Sequence, residues 1–184
     1  MKIVKPLNLK LNLLVLRAQV GDEEAFKELH IKYSISTLRL LQSYMNGEEA
    51  QDLNQEVWLK VYLRIASLTN TAGFKTWLFQ ITRNMALDNF RASKRINEFF
   101  DMLKSESEYN GDIDENDFLI GNFQLLEEAV EELSPKLREA IVLKYFEGMD
   151  MQEISLIMGC SLGTVKSRLH NAKNVIKKLY NDKI

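Results

Sequence analysis

Cysteine, proline and long apolar runs are scarce in this chain, and each scarcity excludes something. The single cysteine, Cys160, rules out an internal disulfide framework and suits a reducing compartment. Two prolines, Pro6 and Pro135, leave helical periodicity almost uninterrupted. No stretch approaches the roughly 18 consecutive apolar residues that span a bilayer, so direct membrane insertion is not expected. The opening MKIVKPLNLKLNLLVLRAQ sets basic residues before an apolar stretch, but Lys10, Asn12 and Arg17 interrupt it. No small-residue cleavage site follows, so a signal peptide is not expected and the cytoplasm is the expected location. The two histidines stand apart from any metal-ligand cluster, nucleophile–base arrangement or phosphate-cradling glycine loop. The reading is therefore of a non-enzyme, with no cofactor and no metal.

What is present is charge, and it is segregated. Residues 1–97 hold 14 basic and 9 acidic side chains, residues 98–133 hold 1 and 12, and residues 134–184 hold 9 and 5. The overall net charge of −2 thus conceals two basic blocks around a strongly acidic one. At 184 residues the chain makes one mid-sized domain or two small ones.

The pattern along the chain is helical. Asp22 is placed to cap a helix running to about Asn46, with Ala25, Phe26, Leu29, Tyr33, Leu38, Leu41 and Tyr44 as core and Gly47 as its stop. A second helix is expected over 49–66, a loop SLTNTAG over 67–73, and a third helix from Phe74 to about Asn97. Residues 101–122 lack a sustained period and are rich in Asp, Asn, Ser and Gly, which reads as a linker. Helical signal returns at Gln124, and Ser134-Pro135 marks a fresh start with Ser as N-cap and Pro at the first position. Asp150 and Glu153 form a capping-box pattern ahead of MQEISLIM, Gly159 closes that helix and Ser161 caps the next. The expected fold is all-α: two small helical domains, 1–97 and 124–184, joined by an acidic linker, 98–123.

The closing pair of helices carries the first functional signal. Two helices parted by a turn of a few residues describe a helix-turn-helix. In the second, Val165, Leu169, Ala172 and Ile176 supply a stripe for packing. Lys166, Ser167, His170, Asn171, Asn174 and Lys177 take the other face, and between Asp150 and Asp182 the only acid is Glu153. Gly163 and Thr164 lie in the first turn, where free N–H groups favour a phosphate. Lys166, Ser167, His170 and Asn171 can face a major groove, which admits one α-helix. Lys173, Lys177 and Lys178 suit phosphates. A solvated surface helix with lysines near its C-terminus would share much of this pattern. The turn spacing and the lack of acids favour DNA.

The stretch LSPKLREAIVLKYFEGMDMQEISLIMGCSLGTVKSRLHNAKNVIKKL resembles the C-terminal domain of bacterial RNA polymerase sigma factors of the extracytoplasmic-function group. That resemblance implies recognition of the −35 promoter element, with Lys166, Ser167, His170 and Asn171 at the groove and Arg138, Lys144, Thr164 and Arg168 at the backbone. One departure bears on specificity. The family commonly has R-A-R where residues 171–173 read N-A-K. An amide at Asn171 pairs with adenine, whereas Arg prefers guanine.

In the N-terminal block, AQDLNQEVWLKVYLRI places Asp52, Gln55 and Glu56 along one helix edge. Like charges at i, i+4 destabilise mildly, so a basic partner surface explains them better than catalysis does; a plain solvated face is the alternative. The helix FKTWLFQITRNMALDNFRASKR has a core face of Phe74, Trp77, Leu78, Ile81 and Met85, and a polar, basic side of Gln80, Arg83, Asn84, Arg91 and Lys94. With the SLTNTAG loop at its start, that side suits single-stranded DNA, by phosphate neutralisation and a pocket for an extruded base. Trp77 can contribute at its edge.

These segments (GDEEAF, DLNQEVWLKVY and FKTWLFQITRNMALDNFR) are similar to the N-terminal domain of the same sigma group, and the two blocks occur in its order. The resemblance implies that Asp52, Leu53, Gln55, Glu56 and Leu59 dock on the clamp coiled coil of the largest polymerase subunit. It implies that Leu68, Asn70, Gln80, Ile81 and Asn84 line the pocket for the melted −10 element. It also implies a linker running through the polymerase with its negative charge mimicking nucleic acid, nucleoid association when polymerase-bound, and an anti-sigma factor as a further partner. The expected function is transcription initiation at specific promoters. The alternative is a stand-alone helix-turn-helix regulator, which would bind a palindromic duplex tightly without polymerase.

Overall fold

A computed structural model describes residues 9–92 and 128–181, with the side chains of 9–90 and 128–179. The expected linker 98–123, the helical extension 93–97, the return of helix at 124–127 and the side chain of Arg91 lie outside the described residues. Among the described residues there is no β-strand, and the fold is all-α. The chain divides into two compact units, Met1–Ala86 and Leu87–Ile184.

In the first unit, α1 (Leu9–Gln19) turns at Gly21, whose φ of 92° lies in the region that glycine enters without steric cost, into α2 (Glu23–Leu41). Asp22 caps α2 as expected: its Oδ1 accepts from the Ala25 N–H at 3.0 Å. Arg17 Nε donates to the other oxygen at 2.8 Å, tying the end of α1 to the start of α2. The Ala25 amide, and then Arg17, hold the Asp22 carboxyl below the usual carboxylate range.

Helix α2 ends at Leu41, five residues before its expected end near Asn46. The N–H groups of Ser43 and Tyr44 turn back to Leu40 and Leu41, and Asn46 becomes the extended N-cap of α3 (Gly47–Arg64). Asn46 Oδ1 accepts from Glu49 N–H at 3.1 Å, so Gly47 opens a helix instead of stopping one. Two 3₁₀ turns, Ile65–Ser67 and Thr71–Gly73, then lead into α4 (Phe74–Ala92). Val15, Ala25, Leu29, Leu40, Leu41, Ala50, Val57, Val61, Phe74, Leu78 and Phe79 make the core. Within it, the Thr37 hydroxyl lies 2.7 Å from Asn54 Oδ1 and accepts from Trp58 Nε1 at 3.1 Å, a paired polar link between α2 and α3.

The second unit takes in the last residues of α4 from Leu87 and, past residue 127, a helical stretch over 128–131, followed by α5 (Pro135–Ile141) and a π turn, Val142–Phe146. Ser134 stands at the N-cap position with Pro135 first in the helix, but the Ser134 side chain makes no capping bond. Helix α6 (Met151–Met158) starts with both halves of the capping box, Glu153 N–H to Asp150 Oδ1 at 2.8 Å and Asp150 N–H to Glu153 Oε2 at 2.9 Å. Gly159 ends it in the left-handed region at φ 61°, and α7 (Leu162–Asn181) follows after two more residues. Ala140, Leu143, Ile154, Val165, Leu169, Ala172 and Ile176 are fully buried or nearly so.

Candidate functional site

Helix α3 buries Ala50, Leu53, Val57, Trp58 and Val61, which fixes what its other side must expose. Asp52, Gln55, Glu56 and Leu59 recur at i, i+3, i+4 and i+7, and all four are exposed. Leu63 continues the row one turn on at 72 % exposure, and Tyr62 borders it while its ring meets Phe26 edge-on at 5.0 Å. The row is carboxylate at one end and aliphatic at the other. Leu53, expected in this face, is turned inward at 6 % exposure, because it shares the core side with Val57 and Val61. Leu63 was not expected; its signal was the i+4 spacing from Leu59.

The second candidate surface is built on the loop before α4. Gln19 donates through Nε2 to the carbonyls of Ile65 and Leu68, at 2.9 and 2.6 Å, and so pins the chain where the loop begins. Asn70 Oδ1 accepts from Ala72 N–H at 3.1 Å, which commits one face of that amide to the turn. Along α4, Trp77, Gln80, Ile81 and Asn84 fall at i, i+3, i+4 and i+7, with Arg91 in the same register two turns further. Asn84 is exposed, Trp77, Gln80 and Arg83 are half-buried, and Ile81 is nearly buried. Leu68 is half-buried and Asn70 exposed. The buried side of α4 includes Phe79, Thr82 and Ala86 besides the expected Phe74 and Leu78; Trp77 and Met85 lie at its border.

The third surface is the outward side of α7. Ser161 Oγ accepts from Thr164 N–H at 3.1 Å and lies 2.9 Å from the Thr164 hydroxyl, so the start of the helix is held from within. Asn171 is exposed, Lys166 and His170 are half-buried, and His170 Nε2 sits 2.9 Å from Asn174 Nδ2. Lys173 places its ammonium 5.7 Å from the centre of the Tyr145 ring, which orients a cation that sequence reading had placed but not anchored.

Three residues expected at this surface are placed otherwise. Ser167 and Arg168 are buried, at 3 and 7 % exposure, and one Arg168 nitrogen is 3.8 Å from Cys160 Sγ. Arg138 donates from Nε to the Val130 carbonyl at 3.1 Å and from Nη2 to the carbonyls of Glu131 and Leu133, which cover the end of the preceding helical stretch. Burial pulls the guanidinium pKa down, opposed by Glu131 and Glu132. Lys144 is half-buried in the π turn. Among the described residues there is no group of three or more His, Cys, Asp or Glu side chains that could hold a metal ion.

The sequence matches the family model for sigma-70 region 2 over residues 33–96 and that for sigma-70 region 4 over residues 123–175. It is 32 % identical to the RNA polymerase sigma-H factor of Pseudomonas aeruginosa, covering 90 % of this chain and 91 % of that protein. The chain belongs to the sigma-70 family. Its group is shown by two further relatives, both named ECF RNA polymerase sigma-E factor. The Haemophilus influenzae protein is 32 % identical over 89 % of this chain and 92 % of its own, and the Escherichia coli K12 protein 31 % over 89 % and 90 %.

Among solved structures, the sigma factor RpoE of Bartonella quintana, in complex with the anti-sigma factor NepR, is 27 % identical with a TM-score of 0.64, covering 85 % of this chain and 96 % of that one. CnrH, in complex with the cytosolic domain of CnrY, shares the fold at a TM-score of 0.65 and 18 % identity, covering 95 % and 99 %. This sigma factor therefore belongs to a group of promoter-directing transcription initiation factors, and that family is not one of enzymes. No described helix is long and apolar enough to cross a membrane.

Proposed function

We propose that this sigma factor joins core RNA polymerase through the outward row of α3 and reads a two-part promoter with α4 and α7. The observation that carries the proposal is that row: Asp52, Gln55, Glu56 and Leu59 all stand exposed on one face of a helix whose other face is core. Carboxylates beside aliphatics suit a basic, partly apolar protein surface, and the clamp coiled coil of the largest subunit is the surface proposed. Carboxylates repel phosphates, so this face is not the one for DNA.

The promoter contacts divide by the state of the DNA. Leu68, Asn70, Trp77, Gln80, Ile81, Arg83, Asn84 and Arg91 are proposed around the unpaired −10 bases, where aromatic edges and amides receive an extruded base and arginines neutralise phosphate. Lys166, His170 and Asn171 are proposed at the base edges of a duplex −35 element, with Thr164, Lys144 and Lys173 at phosphates. The buried Ser167 and Arg168 and the carbonyl-bound Arg138 support this surface from behind. Domains are assigned as 1–97 and 124–184 with the acidic 98–123 between them. An anti-sigma factor is the proposed inhibitor, and the cytoplasm, on the nucleoid when polymerase-bound, the proposed location.

The test is co-elution of the full chain with sigma-free core polymerase, against Asp52→Lys/Glu56→Lys. The wild-type chain is expected to co-elute, and the variant to bind about a hundredfold more weakly while keeping its helical circular dichroism. Retained binding by the variant would remove α3 from the interface. A chain that ignores core polymerase and binds a palindromic duplex by itself would make it a stand-alone regulator.

A further inference from the structure

Helix α1 is apolar on two sides, and packing uses one of them. Leu11, Leu14, Val15 and Ala18 are in the core. Leu9, Leu13, Leu16 and Val20 form a second row, exposed by 68, 60, 51 and 86 %. Val20 lies just past the helix but stays in register, its N–H bonding to the carbonyls of Leu16 and Arg17. Exposed aliphatics scattered singly are ordinary on a soluble protein; four in one continuous row mark a surface awaiting a partner. A helix that is apolar around most of its circumference is normally covered around most of it.

The spacing of the row says what kind of cover it fits. Steps of four, three and four residues reproduce the alternating d and a positions of a coiled-coil seam. The flanks say which charge the partner carries. Lys10 and Arg17 follow the two d positions on one edge, Asn12 and Gln19 precede the two a positions on the other, and α1 contains no acid. Gln19 is spent on the Ile65 and Leu68 carbonyls, which closes that edge and leaves the cationic one open. Arg17 stays half-exposed although it also binds Asp22. Pairing of two α1 helices would set these cations against one another or against amides, with no carboxylate opposing them.

We propose that this row docks an amphipathic helix of a partner protein, with aliphatic side chains at heptad spacing and Glu or Asp along the edge that meets Lys10 and Arg17. The row shares no residue with the α3 row assigned to polymerase or with the residues proposed for promoter contact.

The test titrates the full-length chain with a labelled three-heptad peptide carrying Leu at a and d and Glu at e and g, and with the same peptide carrying Lys in place of Glu. Saturable binding of the acidic peptide, at least tenfold weaker binding of the basic one, and a further tenfold loss in Leu13→Gln/Leu16→Gln are expected. Both altered side chains are exposed, so that variant should keep its helical circular dichroism and its co-elution with core polymerase. Lack of saturable binding, equal binding of both peptides, or an indifferent variant would overturn the proposal. Loss of polymerase co-elution in the variant would make polymerase the occupant. A sedimentation dimer abolished by the variant would make it a second copy. A benzophenone on Leu13→Cys, in a Cys160→Ser background, that crosslinks to residues 98–127 of the same chain would make it the acidic segment. Each of these three results also overturns the proposal, and polymerase binding by the wild-type chain is read separately from all of them.

Discussion

Along α3 the outward positions are Asp52, Gln55, Glu56, Leu59 and Leu63, whereas along α7 they are Lys166, His170, Asn171, Lys173, Asn174 and Lys177. Both helices bury an inner stripe of the same kind, Leu53, Val57 and Val61 in one and Val165, Leu169, Ala172 and Ile176 in the other. Both open on a polar side-chain cap, Asn46 and Ser161, each accepting from an N–H three residues on at 3.1 Å. The way a helix is held therefore says nothing of what it binds. The outer face decides that: acids with exposed leucines suit a protein surface, and lysines with amides and no acid suit a phosphate-lined groove.

The largest expected effect tests whether the inner stripes are equivalent. Leu53→Ala and Leu169→Ala should each cost about 2–5 kcal/mol in chemical denaturation of the full chain. If Leu53→Ala leaves stability unchanged and weakens polymerase binding, Leu53 is part of the docking face and the likeness between the two helices fails there. Next comes the outer face of α7. Asn171→Arg should move base preference at the contacted position from adenine toward guanine by about 1–3 kcal/mol in competition binding with matched promoter duplexes. Unchanged preference would take Asn171 out of the groove.

A smaller effect is expected at the caps. Asn46→Ala and Ser161→Ala should each lower stability by about 1 kcal/mol. Only Ser161→Ala should also weaken promoter binding by holoenzyme, because it frees Thr164; equal promoter binding by both variants would separate the cap from the DNA surface. The smallest effect lies outside the pair, at the turn between α1 and α2. The Asp22 carboxyl titrates lower in the folded chain than in the unfolded one, so its contribution is present above the unfolded range of about 4 and is lost as pH falls through the folded pKa. Asp22→Asn should therefore flatten the loss of thermal stability on acidification below about pH 4, and an unchanged acid limb would show that the cap is too exposed to matter.

Much of this was legible in residue order because it is local. The capping box at Asp150 and Glu153, the left-handed stop at Gly159 and the cap at Ser161 each involve residues within a few positions, and all are present. The break in α2 was not legible. Leu41, Tyr44 and Asn46 continue a helical period, but the turn after Leu41 and the choice of Asn46 as a cap depend on how α3 packs back on α2. Leu53 read as a docking residue for a similar reason: a leucine next to an acid can face either way, and the core settles it.

The sequence by itself determined the helical class, the charge blocks, the helix-turn-helix and the membership of the sigma group. The first three follow from composition, periodicity and capping chemistry, which are properties of neighbouring residues, and the membership from similarity to the family. Tertiary packing alone decided which side of each helix is left to a partner. It turned Leu53, Ser167 and Arg168 inward, bound Arg138 to three carbonyls and set Gln19 against the loop at Ile65 and Leu68. It also left Leu9, Leu13, Leu16 and Val20 outside. The physical reason is that a helix apolar on two sides has two equivalent ways to bury one of them, and only its neighbours in space choose.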